Sequence, residues 1–131
     1  MAVSVLTNVK TDPTNGIFHC ILTTASSEGA TAIFPGFTPR LITMTQVGGS
    51  ADATFQSSWC EGMTAAYASL IGNTGTASII TSAGYTPLTG TETATVIGDI
   101  AAASPKQSGQ GFIVGTGVQA NSLVYSLTAY R

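Results

Sequence analysis

The residues of this chain that could perform catalysis are few and scattered. His19 is the only histidine, and it lies inside an apolar run from Ile17 to Ile21. Hydrolysis by a Ser-His-Asp triad would have to use that imidazole as the general base. A Cys-His pair would join His19 to Cys60, which has no local signature of a catalytic cysteine around it. We therefore expect His19 to be structural or to lie at an interface, and we do not expect an enzyme.

The acidic residues could supply other chemistry; they are Asp12, Glu28, Asp52, Glu61, Glu92 and Asp99. Two carboxyl groups on either side of a sugar could hydrolyse a glycosidic bond, and Asp12 with Asn15 could offer oxygen atoms to a calcium ion. Most of these acids lie near predicted loops, and none belongs to the spaced acidic run of a calcium-binding loop. We expect them to be solvated loop charges, and we expect no metal ion and no cofactor.

A glycine-rich segment and the aromatic residues each have a functional and a structural interpretation. The segment from Gly109 to Gly117 lacks the Gly-Lys-Ser/Thr ending of a P-loop and the spacing of a dinucleotide-binding loop. Its glycines predict tight turns at both ends of a short strand. Trp59 and the four tyrosines could form a sugar-stacking platform, or could be core and subunit-interface residues, which is the use we expect.

The two cysteines, Cys20 and Cys60, lie far apart in the sequence. One disulfide between them is possible, but nothing requires it. A zinc site is disfavoured because the chain has a single histidine and no CxxC pair. We expect two buried, reduced thiols in a strand-rich core.

The composition indicates an assembly subunit. Only 8% of the 131 residues are charged, whereas an ordinary globular domain carries roughly a quarter. A surface so poor in charge is weakly protected against association, so we expect a homo-oligomer. The basic residues are scattered through the chain; they are Lys10, Arg40, Lys106 and Arg131. That scatter argues against nucleic-acid binding and against a polybasic membrane patch. We also expect no membrane-spanning helix and no signal peptide.

The elements that must position these residues are predicted to be strands. Thr, Val, Ile and Tyr recur, strong helix formers are scarce, and turn residues interrupt the chain at short intervals. The predicted strands are 3–9, 17–24, 31–34, 40–47, 53–60, 77–82, 91–100, 112–114 and 123–130. Residues 104–110 are predicted to be a loop, and 63–71 could be a short helix or an irregular segment. We expect one domain over residues 1–131, an all-β antiparallel β-sandwich or jelly-roll-like barrel of about eight strands.

Two segments resemble a known family. The first runs from Pro35 to Ile42 and contains a Gly-Phe-x-Pro turn that leads into a strand. The second begins with Gly-Phe-Ile-Val-Gly at 111–115 and continues through Asn121 and Val124-Tyr125 to Ala129-Tyr130-Arg131. Together they look like small β-sandwich structural domains of tailed-bacteriophage virions. Residues 48–100 match nothing in that family.

The resemblance implies a non-enzymatic virion protein assembled in the host cytoplasm. The resemblance first implies that the chain is a capsid decoration (cement) protein, a homotrimer that bridges major capsid subunits. A tail, neck or baseplate protein is the alternative among virion structural proteins. A carbohydrate-binding module for host attachment and, less favoured, a small hydrolase remain alternatives from other classes. The predicted contact residues lie in the two terminal segments and are Met1, Val3, Val5, Tyr130 and Arg131.

Overall fold

The computed structural model describes residues 5–24, 30–49, 56–72, 75–94, 107–120 and 122–131. Within these ranges the chain forms ten strands and no helix, which confirms the all-β prediction. The strands are β1 (Val5–Asp12), β2 (Ile17–Thr23), β3 (Thr31–Ile33), β4 (Leu41–Gly48), β5 (Gln56–Cys60), β6 (Ala68–Ile71), β7 (Ala77–Ile80), β8 (Tyr85–Ala94), β9 (Gln107–Val114) and β10 (Val124–Tyr130).

The strands form two antiparallel sheets. The larger has seven strands in the order β1-β2-β10-β4-β5-β6-β7, and the smaller has three in the order β3-β9-β8. The C-terminal strand β10 is therefore an interior strand, hydrogen-bonded to β2 on one side and to β4 on the other. Removing it would expose two rows of backbone hydrogen-bonding groups, so this strand is part of the fold itself.

The larger sheet buries one face and exposes the other. Along β2, β10 and most of β4, buried side chains alternate with half-buried or exposed ones, as the two-residue period of a strand requires. The buried face packs against the smaller sheet, and Phe18 meets Phe112 edge-on with ring centroids 6.3 Å apart. We call the opposite side of the larger sheet its outer face.

A buried hydrogen bond joins the two sheets. The Tyr85 hydroxyl on β8 lies 2.6 Å from the Ser57 hydroxyl on β5, and both residues are buried. Burial raises the pKa of the Tyr85 phenol, which therefore stays protonated. This pair fixes the smaller sheet over the larger one by a directional contact as well as by apolar packing.

Three local predictions need correction. Residues 63–71 contain no helix: Ala66 has a φ of 70°, and 68–71 form β6 because they pair with β5 and β7. Residues 107–110 are strand rather than loop, since they pair with β8. The strand predicted at 91–100 begins earlier, at Tyr85, and includes Pro87. A proline is tolerated there because β8 is an edge strand. Residues 95–100 lie outside the described part.

The glycines at 111–117 serve both close packing and a turn. The turn predicted after the strand is present, since Gly115 accepts a hydrogen bond from the Val118 backbone N–H at 3.3 Å. Gly111 lies within β9, and a Cβ atom there would collide with the Ile33 carbonyl oxygen of the adjacent chain segment. A Cβ atom at Gly115 would likewise collide with the Ala83 carbonyl oxygen. The backbone segments approach each other so closely at both places that only glycine fits.

Candidate protein-binding surface

Three exposed apolar side chains lie side by side on the outer face. Tyr130 on β10 is directly opposite Ile17 on β2 and Leu41 on β4. Their exposed fractions are 45% for Ile17, 41% for Tyr130 and 38% for Leu41. Side chains opposite each other on adjacent strands have Cβ atoms about 5 Å apart, so the three form one continuous strip, which we call the apolar row.

The three side chains of the apolar row are not part of the hydrophobic core. The next residues inward on the same strands are Phe18, Ala129 and Ile42, and these fill the buried face at that end of the sheet. The sequence is therefore apolar on both faces of the sheet here. An apolar side chain that the core does not use and that lies in a row with two others marks a contact surface more than chance exposure does.

The rest of the outer face is mostly polar near its centre and carries exposed isoleucines toward β7. The next row across the strands consists of Lys10, His19, Thr128, Thr43, Ser58, Ser69 and Ile79, of which Ile79 is 68% exposed. The row after it consists of Thr7, Ile21, Ser126, Thr45, Gln56, Ile71 and Ala77. Within the seven strands the charged residues are Lys10 and Asp12, both on the edge strand β1. The face from β2 to β7 thus carries no Asp, Glu, Lys or Arg side chain.

Charged side chains border the apolar row at the end of the sheet. The Arg40 guanidinium donates two hydrogen bonds to the Glu61 carboxylate, at 3.0 and 2.7 Å, and both side chains are exposed. Arg40 lowers the pKa of the Glu61 carboxyl group. On the other side, the Asp12 carboxylate accepts hydrogen bonds from the Asn15 side chain (2.7 Å) and backbone (3.1 Å), which lower its pKa. An apolar centre with a polar border is the usual anatomy of a protein interface.

The predicted contact residues fall in different places. Tyr130 is the middle member of the apolar row. Arg131 holds the β1–β2 turn: its backbone N–H donates to Gly16, and its guanidinium donates to the carbonyl oxygens of Pro13 and Thr14 at 3.0 and 2.6 Å.

Most of the predicted N-terminal contact residues lie outside the described part of the chain. Val5 begins β1, while Met1 and Val3 lie outside the described residues. The sequence analysis did not select Ile17 or Leu41, although both belong to the row.

His19 is placed on the open outer face. It is half-buried, and its Nε2 atom lies 3.1 Å from the Ser126 hydroxyl. Cys60, the other member of the imagined pair, is three strands away on β5, which is about 14 Å at the spacing of adjacent strands. The described residues therefore do not bring Cys60 to His19.

The two thiols have different environments. Both are free, and Cys20 is fully buried as expected, but Cys60 is exposed, so the prediction of two buried thiols is wrong for Cys60. Its side chain points to the outer face because Cys60 pairs with Leu41. The three-strand separation between β2 and β5 also excludes a disulfide within the chain. Burial raises the pKa of the Cys20 thiol to about 12, which suppresses its reactivity.

The described aromatic side chains near Trp59 do not form an exposed platform. Trp59 is buried and its indole N–H donates to the Thr64 carbonyl oxygen at 3.2 Å. Tyr85 and Tyr125 are fully buried. Among the described tyrosines, Tyr130 is exposed and lies in the apolar row, on the other side of the sheet from these buried rings.

The described residues line an open cavity and form no cluster of metal ligands. An open cavity of about 320 Å³ lies at the sheet edge, lined by Lys10, Thr11, Asp12 and Ile17. The Asp12 oxygens, considered above as possible calcium ligands, already accept hydrogen bonds from Asn15. In the part of the chain that is described, no three His, Cys, Asp or Glu side chains come together as metal ligands, and no helix could cross a membrane.

Comparisons with protein-family models, with curated proteins and with solved structures each find no match. The outer face with its apolar row is the described surface best suited to binding another protein.

Proposed function

We propose that this chain is a non-enzymatic structural protein of a bacteriophage virion: a capsid decoration (cement) protein that stabilises the head by bridging neighbouring major capsid subunits. The observation that carries the assembly role is the apolar row of Ile17, Tyr130 and Leu41 on an outer face almost free of charge. The virion setting comes from the resemblance of 35–42 and 111–131 to phage structural domains.

The physical basis of this role is the burial of weakly polar surface. Covering apolar area contributes about 25 cal/mol per Å², and neutral threonine and serine side chains are far cheaper to desolvate than charged ones. A protein that binds the assembled shell but not its separated subunits adds its binding free energy to shell stability. The low charge of the chain suits such contacts.

The observations do not favour the alternatives from other classes. Sugar binding would call for exposed aromatic rings near Trp59, but that side chain is buried. A hydrolase would call for a deep pocket in which His19 meets an acidic residue, but His19 hydrogen-bonds Ser126 on an open face. A tail, neck or baseplate protein would use the same kind of surface, so the experiment must separate heads from tails.

Co-sedimentation with separated heads and tails of the encoding virus tests the proposal. We expect the purified protein to pellet with heads in a saturable ratio and to stay in solution with tails. Pelleting with tails alone would move the protein to the tail, and no pelleting with either would contradict a virion role. Deleting residues 1–4 tests the terminal contact predicted for Met1 and Val3, while Val5, the first residue of β1, is kept; we expect weaker pelleting with an unchanged circular dichroism spectrum.

A further inference from the structure

The apolar row is nearly symmetric about its centre. Tyr130 stands in the middle, with one branched aliphatic residue on each side, Ile17 and Leu41. One strand further out, Asp12 lies opposite Ile17 and Cys60 lies opposite Leu41. A two-fold contact places residue i of one copy on residue j of the other and j on i. The two aliphatic side chains beside Tyr130 can pack on each other under that operation, whereas Asp12 and Cys60 differ in chemistry and would meet at the rim.

We propose that a second copy of this chain covers the outer face, related by a two-fold axis that runs parallel to β10 through Tyr130. In this pair, Tyr130 packs on Tyr130 of the second copy. Ile17 packs on Leu41 of the second copy, and Leu41 packs on its Ile17. The two faces meet as aligned sheets whose strand directions stay within about 30° of each other, so the pairing of rows is kept near the axis.

The polar rows fit the same operation. The axis places Thr128 against Thr128 of the second copy and His19 against its Thr43, since these lie one strand to either side of β10. Lys10 meets Ser58, because β1 and β5 lie equally far from β10. No charge of one copy meets a like charge of the other in these rows. Across β2, β10 and β4 the outer face carries no Asp, Glu, Lys or Arg side chain, so an identical face covers it there without burying such a charge. Lys10 and Asp12 lie on the edge strand β1, at the rim of the contact, where charged side chains stay hydrated.

The available area is sufficient for a specific but weak pair. The strands that overlap are β1, β2, β10, β4 and β5, which span about 24 Å at the usual strand spacing. Three rows extend about 20 Å along the strands, so the two copies together bury about 1,000 Å². That is the lower limit for a biological interface, and we expect a dissociation constant on the order of 10 µM. A two-fold contact gives pairs and covers the apolar row. The trimer expected from the resemblance and the capsid contact of the proposed function would therefore each need a different surface.

Mixing two single variants tests the two-fold geometry. Sedimentation equilibrium should show a reversible monomer–dimer mixture for the wild type. Ile17→Glu and Leu41→Lys should each raise the dissociation constant at least about 30-fold, because each homodimer buries two unpaired charges. Mixed together they should form a heterodimer, in which the glutamate of one chain faces the lysine of the other.

Ile79→Glu is the matched control. Ile79 is 68% exposed on the same sheet, but it lies on β7, outside the five overlapping strands. The same substitution there should leave the dissociation constant within about 2-fold of the wild type. Thr128→Glu and Thr128→Lys give a second test on the axis itself: each should be monomeric alone, and the two should pair when mixed.

A monomeric wild type at about 100 µM, ten times the expected constant, would overturn the inference. So would folded single variants that do not pair when mixed, or an equal loss of dimer in Ile79→Glu. Circular dichroism checks the fold of each variant, and the Thr128 pair decides the question if an Ile17 or Leu41 variant unfolds. The inference does not rest on the virion role: a dimer that binds no heads would leave it standing.

Discussion

Replacing Tyr85 by phenylalanine should weaken the attachment of the two sheets to each other. The substitution keeps the buried ring and removes the hydroxyl that lies 2.6 Å from Ser57. The Ser57 hydroxyl then stays buried with its partner gone, because Ser57 is 2% exposed. A buried polar group without a partner costs about 1–3 kcal/mol, so the free energy of unfolding should fall by that amount.

The double variant gives a sharper expectation. Ser57→Ala alone should also cost about 1–3 kcal/mol, since it leaves the Tyr85 hydroxyl unpaired. Tyr85→Phe combined with Ser57→Ala removes both partners, so its cost should be smaller than the sum of the two single costs by about 1–2 kcal/mol. That difference measures the coupling between the two hydroxyl groups across the sheets.

Urea unfolding followed by Trp59 fluorescence measures these effects. The midpoint for either single variant should fall by roughly 1 M with an unchanged slope. Tyr130→Phe is the matched control, because its hydroxyl is on a side chain that is 41% exposed; it should change the free energy by less than about 0.5 kcal/mol. Additive single costs, or equal effects of Tyr85→Phe and Tyr130→Phe, would refute the reasoning.

Three further predictions concern the thiols, a glycine and the acidic residues. A thiol reagent should modify Cys60 in the native protein and reach Cys20 only after unfolding; simultaneous modification, measured by intact mass, would contradict the placement of the two side chains. Gly111→Ala should lower the melting temperature far more than Gly62→Ala. A Cβ atom at 111 would collide with the Ile33 carbonyl oxygen, whereas at 62 no atom is near and the only cost is the φ of 105°. Equal shifts of the melting temperature would contradict the close approach of the backbone at Gly111. The folded pKa values of Asp12 and Glu61 are lowered, so their stabilising contribution is present at neutral pH and is lost as the pH falls through those values. Glu61→Gln should therefore flatten the fall of the urea midpoint with acid, and an unchanged pH profile would contradict the role of the Arg40–Glu61 pair.

Local alternation was enough to predict the central strands of the larger sheet. The predicted strands at 17–24, 40–47 and 123–130 correspond to β2, β4 and β10. β6 was not predicted because the spacing of Met63, Ala66, Tyr67 and Leu70 also fits a helix, and its strand form comes from pairing with β5 and β7. β9 was predicted too short, because Gly111 was interpreted as part of a turn but lies within the strand at a site of close packing.

The candidate surface could be predicted only in part. Tyr130 was selected as an interface residue from its type, but its position beside Ile17 and Leu41 depends on strand order. The order β2-β10-β4 brings together residues from the beginning, the end and the middle of the chain, and local sequence patterns do not encode that order. The available signal was the apolar character of both faces at Ile17–Phe18 and Leu41–Ile42.

Thermal disassembly of capsid heads tests the decoration role most directly. Heads that lack the protein are heated with and without a saturating amount of it, and release of capsid protein is followed by light scattering. We predict that the wild-type protein raises the disassembly temperature, with an effect that saturates as its sites fill, because a ligand of the assembled shell stabilises it. An unchanged disassembly temperature, with the added protein folded and in excess over its expected sites, would contradict the proposed function.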